Sequence, residues 1–147
     1  MKHYPHSNYI LLVKKFTSTA RLPEKAYSFD AGWDLFSDED VTISPHSTYA
    51  VSTGIAIQLP DGFFGKIFDR SGNALKRGFQ VLAGVIDNGY RGEVKIVLLN
   101  YTDQPITIKK GDKIAQLVLI KTYYSEVREC VELSPTERGH KGFGSSG

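Results

Sequence analysis

The chain has 147 residues, 18 of them Lys or Arg and 16 Asp or Glu, for a formal net charge of +2. That length suits one domain with a full core, and mixed charges without a like-charge run argue against a nucleic-acid or membrane-surface partner. The only cysteine, Cys130, excludes an internal disulfide and any multi-cysteine metal site.

At the amino end, the apolar run in MKHYPHSNYILLVKKF is too short for a secretory signal, and no stretch reaches bilayer length, so an intracellular, cytoplasmic protein is expected. Residues 9–16, YILLVKKF, read as a strand, and 22–30 as the longest patternless loop before the tail. In AGWDLFSDED, 31–40, Asp34 lies between Trp33 and Leu35. If those two face the core, Asp34 faces outward, either as a polar residue on a wet strand or as a carboxylate that holds a cation or pins an arginine. Further strands are expected at 41–43, 49–59 and 63–68, separated by turn signals such as Pro60-Asp61-Gly62.

DRSGNALKRG, 69–78, contains the one stretch that reads as a short helix, NALKRG. Arg70, Ser71 and Gly72 place a fork of donors, a hydroxyl and an open amide ahead of it, which suits either an anion or a capped surface turn. In AGVIDNGYRGEV, 83–94, Asp87 fits a tight hairpin either as a turn residue or as a general base, with Tyr90 as a pocket wall. Gly84 and Gly92 are expected to let backbone approach a ligand. Strands follow at 94–101, 106–108 and 114–120. In the last of these, strand alternation puts Gln116 on one face with Ile114 and Val118, and its amide needs a partner. The tail RGHKGFGSSG, 138–147, has four glycines and a lone aromatic, Phe143, and suits a solvated end or a clamp over a phosphate-bearing ligand. Short strands with frequent turns indicate an all-β sandwich or barrel. Phosphate-seeking features and lone carboxylates, without a histidine cluster, point to a nucleotide with Mg²⁺.

In order, AGWDLFS, DRSGNALKRG, GVIDNGYRGE, GDKIAQL and RGHKGFGSSG resemble the five motifs of the trimeric dUTPase family, and the likeness runs from about residue 30 to the end. The resemblance implies a distorted jelly-roll or β-barrel, a homotrimer with sites shared between subunits, and a flexible glycine-rich tail. It divides the chain into a β domain, 1–137, and a tail, 138–147, that closes over the site. The implied reaction is hydrolysis of dUTP to dUMP and pyrophosphate, Mg²⁺-assisted, by attack of water on the α-phosphorus. Asp87 would activate that water, Gln116 would stand near the α-phosphate, and Asp34 would support the metal through water. Arg70, Ser71 and Gly72 would contact phosphates; Leu82, Gly84 and Ile86 would read uracil; Tyr90 would pack under the deoxyribose. In the tail, Arg138, Gly144, Ser145 and Ser146 would meet the γ-phosphate end and Phe143 would stack on the base.

The second motif departs from the family's Pro-Arg-Ser-Gly-Leu, with Asp69 before the arginine and Asn73 after the glycine. Asp69 is expected to weaken phosphate binding or to pair with Arg70. The rival reading of a dCTP deaminase on this fold would need a glutamate where Val97 stands, and a regulatory nucleotide-binding module is the other alternative.

Overall fold

A computed structural model describes residues 9–147. Its strands are β1 (Leu12–Lys15), β2 (Trp33–Phe36), β3 (Val41–Ile43), β4 (Thr48–Ser52), β5 (Ile55–Gln58), β6 (Phe63–Phe68), β7 (Phe79–Val81), β8 (Val85–Ile86), β9 (Lys95–Asn100), β10 (Ile106–Ile108) and β11 (Lys113–Lys121). They pair antiparallel in the orders β2-β11-β6-β8, β4-β9-β7, β1-β5 and β10-β3. One helical turn, Asn73–Arg77, separates β6 from β7 and ends at Gly78, whose N–H returns to the Asn73 carbonyl. Among the described residues the architecture is therefore all-β with one short helix, as the sequence predicts.

The core explains why these segments are strands. In β9 the buried positions alternate as Ile96, Leu98 and Asn100, with Lys95 facing solvent. Successive residues of β5, Ile55, Ala56 and Ile57, are all buried, so both faces of that strand are covered. Phe79, Leu35, Ile43, Val51, Ile108 and Leu117 complete the interior, and each such side chain contributes about 1.5–3 kcal/mol by leaving water.

The structure corrects the sequence reading in several places. The run 49–59 is two strands, β4 and β5, because Thr53 and Gly54 break it. The buried Thr53 hydroxyl donates to the Val94 carbonyl, and Gly54 has φ +70°. The loop 22–30 is not patternless: Glu24 exchanges main-chain hydrogen bonds with Asp34, at 3.2 and 2.6 Å, along the outer edge of β2. In β11 a bulge between Lys113 and Ala115 interrupts the register with β2, and Ile114, Ala115 and Leu117 are all buried. Ile114 and Gln116 therefore do not follow simple alternation.

Side-chain bonds pin the corner after β2. Asp38 accepts from the Thr17 and Thr19 hydroxyls at 2.6 and 2.7 Å. Partial burial would raise its carboxyl pKa, but these hydroxyls and the Lys110 and Lys15 charges outweigh that and hold it below the ordinary carboxylate range. Glu39 balances the same way, its burial outweighed by bonds from the Tyr49 hydroxyl and the Ser52 N–H.

β11 ends at Lys121, and the Thr122 N–H reaches the Gly62 carbonyl at 2.8 Å. Residues 123–147 are exposed throughout. They include Tyr123, Tyr124, Val127, Val131 and Leu133, all more than three-quarters exposed, and Cys130.

Asn100 is the main polar stitch of the interior. Fully buried, it donates to the Ile43 and Gln104 carbonyls and accepts from the Thr102 N–H and hydroxyl. Asn100→Ala strands these partners and should destabilise the fold by about 2 kcal/mol or more, read as a lower urea midpoint with an unchanged slope. A midpoint equal to that of the native chain would show that the amide is dispensable.

Candidate active site

The site residues fall into three groups. The first gathers where β2, β6 and β11 meet. Asp34 of β2 faces Gln116 of β11 in register, and Gln116 faces Phe68 of β6 on its other side. Asp34 Oδ1 accepts from Arg70 Nε at 3.0 Å, and Lys113 Nζ lies 3.4 Å from Oδ2. The Asp34 side chain is only 15% exposed, so this pairing with two cations is partly desolvated and stronger than a surface bridge. Asp34 thus pins an arginine, as one sequence reading has it.

Gln116 finds its partner in main chain: Nε2 donates to the Asp69 carbonyl at 2.7 Å. Asp69 does not pair with Arg70, which goes to Asp34 instead; its carboxylate accepts the Val81 N–H at 2.6 Å. After Arg70 the chain turns at once into the helical turn, with the Asn73 and Ala74 N–H groups on the Arg70 carbonyl. Ser71 and Gly72 are exposed at this bend. Asn73 is buried and donates to the Lys113 carbonyl at 3.0 Å, which ties the turn to β11. The departure at Asn73 is therefore a structural anchor.

The second group surrounds a cavity of about 520 Å³, whose lining includes Leu82, Gly84, Ile86, Asp87, Tyr90 and Val97. Lys66 Nζ holds the Ala83 carbonyl, and the Ile67 N–H holds that of Gly84 at 2.7 Å, so the rim is fastened to β6. Gly84 has φ +110°, and a Cβ there would stand 2.9 Å from the Ile67 carbonyl oxygen. A Cβ on Gly92 would stand 2.5 Å from the Tyr90 hydroxyl. At both glycines the main chain comes close to the protein's own strand or ring. The Tyr90 hydroxyl donates to the Glu93 carbonyl at 2.8 Å, which sets the ring against this segment. At the tip, Asn88 Nδ2 donates to the Pro60 and Phe63 carbonyls, and the Tyr90 N–H closes a turn on the Asp87 carbonyl. Among the described residues no hydrogen bond or ion pair holds the exposed Asp87 carboxylate, which leaves it open to a water or a ligand.

The third group is the tail. Arg138 Nε donates to the Lys141 carbonyl within the arm, and Phe143 is wholly exposed with φ +48°. Gly144, Ser145 and Ser146 are exposed too. Among the described residues no hydrogen bond or ion pair joins the tail to either of the other groups.

Sequence reasoning missed Lys113 and Asn73 as members of the first group. Lys113 stands three residues before Gln116 in GDKIAQL, and across the bulge between Lys113 and Ala115 its ammonium reaches the Asp34 carboxylate while Gln116 pairs with Asp34 in register. Among the described residues no group of three His, Cys, Asp or Glu side chains could hold a metal, and no helix is long and apolar enough to cross a membrane.

A family model described as dUTPase matches residues 18–147. The deoxyuridine 5'-triphosphate nucleotidohydrolase of Paramecium bursaria Chlorella virus 1 is 49% identical over 137 residues, covering 93% of this chain and 97% of that protein. The human mitochondrial protein of the same name is 44% identical over 133 residues, 90% of this chain and 53% of its own. Among solved structures, Staphylococcus bacteriophage 80alpha dUTPase with dUPNHPP superposes with a TM-score of 0.89 at 33% identity, covering 96% and 99% of the two chains. A point mutant of the dUTPase of phage phi11 of S. aureus, described with a structural Mg(II) ion, has a TM-score of 0.78 at 29% identity, covering 84% and 97%.

Proposed function

Because this chain belongs to the dUTPase family, we propose that it hydrolyses dUTP to dUMP and pyrophosphate with the residues just described. The observation that carries the reading is the cavity lined by Leu82, Gly84, Ile86, Asp87 and Tyr90, whose one carboxylate without a partner is that of Asp87. Uracil enters against the main chain of Leu82, Gly84 and Ile86, in a space too tight for a 5-methyl group. Tyr90 covers the deoxyribose and disfavours a 2′-hydroxyl. Asp87 accepts a proton from a water aligned with the α-phosphorus, so that the water attacks as its O–P bond forms and the bond to the pyrophosphate oxygen breaks.

The cation corner handles the leaving phosphates. Asp34 engages only Nε of Arg70, which leaves the terminal guanidinium nitrogens for phosphate oxygens. Ser71 and Gly72 add a hydroxyl and a main-chain donor, and Gln116 holds the α-phosphate side. Lys113 adds a second positive charge. Asp34 and the absence of a three-ligand cluster among the described residues fit a cation carried mainly by phosphate oxygens, with Asp34 contributing through water. Bound there, Mg²⁺ would offset the charge of the triphosphate. Val97, on the cavity wall, has no ionisable group to move a proton and so disfavours the deaminase alternative.

The tail completes the site across subunits. Residues 123–147 leave the body of their own chain with Tyr123, Tyr124, Val127 and Leu133 uncovered, and a homotrimer gives that apolar surface a neighbour to cover it. The segment 138–147 of one subunit then closes on the cavity of another, Phe143 stacking on the base and Arg138, Gly144, Ser145 and Ser146 meeting the γ-phosphate.

Four measurements test this account. Pyrophosphate release should be fast with dUTP and slow with dCTP, dTTP and UTP, and Asp87→Asn should lower turnover on dUTP about 10²-fold with little change in affinity. Near-native turnover of that variant removes Asp87 from the mechanism. EDTA should suppress turnover and Mg²⁺ restore it; full activity in chelator contradicts the metal assignment. Finally, Asp87→Asn and a chain lacking 138–147 should each be nearly inactive, yet regain activity when unfolded and refolded together. Mixed trimers, verified by mass, that stay as inactive as their parents would rule out a site shared between subunits.

A further inference from the structure

Asp69 stands between β6 and the Arg70-Ser71-Gly72 bend, where the family pattern has proline. Its carbonyl accepts from Gln116 Nε2 at 2.7 Å, and its carboxylate Oδ1 accepts the Val81 N–H at 2.6 Å. One residue therefore fastens the segment that carries Arg70 to both β11 and β7. Val81 is the last residue of β7, and the next, Leu82, gives its N–H to the Val97 carbonyl and begins the cavity rim.

Besides the pairing of β6 with β8 and the bond from Lys66 Nζ to the Ala83 carbonyl at 3.0 Å, two bonds hold the rim to the strand that leads to Arg70. The first runs between main-chain groups, Ile67 N–H to Gly84 carbonyl at 2.7 Å, and any residue at 67 other than proline supplies its donor. The second, Asp69 to Val81, needs a side-chain acceptor of one particular reach. The Asp69 charge is not used on the neighbouring guanidinium, which Asp34 takes at 3.0 Å.

We propose that Asp69 is a positioning residue: its carboxylate clamps β7 to the Arg70-Ser71-Gly72 bend and fixes the base-binding rim at a set distance from the phosphate-binding corner. The inference rests on the dUTP reading above. A substrate held at both ends must present its α-phosphorus to Asp87 in one geometry, so slack between the two ends lowers the rate of the chemical step more than it weakens binding.

The clamp and the charge are separable by substitution. Asp69→Asn keeps an acceptor oxygen at the same reach and removes the charge, Asp69→Ala removes both, and Asp69→Gln moves the acceptor outward by one methylene. With dUTP, Ala and Gln should lower kcat about tenfold with a smaller change in KM, while Asn stays within about twofold of the native chain. In nucleotide-free protein, amide exchange at Val81 should be slow in the native and Asn forms and faster in the Ala and Gln forms. Equal shifts of KM in Asn and Ala with unchanged kcat would show that Asp69 acts by its charge, and uniform Val81 exchange across the series would show that there is no clamp. Either result overturns the proposal. Absence of dUTP turnover in the native chain would sink the reaction reading instead, and the exchange measurement would still decide the clamp.

Discussion

The register of β11 is the constraint on which the rest of the site depends. This nine-residue strand pairs along both edges, with β2 on one side and β6 on the other. Main-chain hydrogen bonding thereby places Asp34, Gln116 and the end of β6 side by side before any side chain is considered. Because side-chain direction in a strand has a period of two, a slip of one residue would turn Gln116 and Asp34 away from each other and push Leu117 out of the core. Leu117, Ala115 and Ile114, all essentially inaccessible to solvent, make such a slip costly. Burial of three apolar side chains is thus what keeps one amide and one carboxylate in place.

Around this strand the polar groups form a chain of supports. Asn73 binds the helical turn to Lys113, Lys113 and Arg70 share Asp34, and Gln116 holds the carbonyl that precedes Arg70. The cavity is organised differently, around a hairpin whose tip is fastened by Asn88 and whose rim is fastened by Lys66 and Ile67. This frame leaves the exposed Asp87 carboxylate at its edge unheld among the described residues.

Much of this was legible in the sequence because strand composition and turn residues are local properties. The segments 41–43, 63–68 and 106–108 are strands at the residues expected, and the only helix among the described residues lies within 73–78. The motif order also identified the family. What was not legible depended on contacts distant in the chain. β7 and β8 are too short, and too close to Gly84, to stand out by pattern. The pairing of Glu24 with Asp34, the bulge that brings Lys113 to Asp34, and the choice of Val81 rather than Arg70 as partner for Asp69 all require knowing which strands adjoin. No local propensity encodes such choices; packing does.

The arm beyond Thr122 has a practical consequence. It carries Cys130, the only thiol of the chain, at an exposed position eight residues before Arg138. A maleimide-linked spin or fluorescent label would therefore attach once per subunit, outside both the cation corner and the cavity. Its spectrum would report the motion of this segment alone, so any response of the arm to added nucleotide could be timed separately from turnover, with no substitution anywhere in the chain.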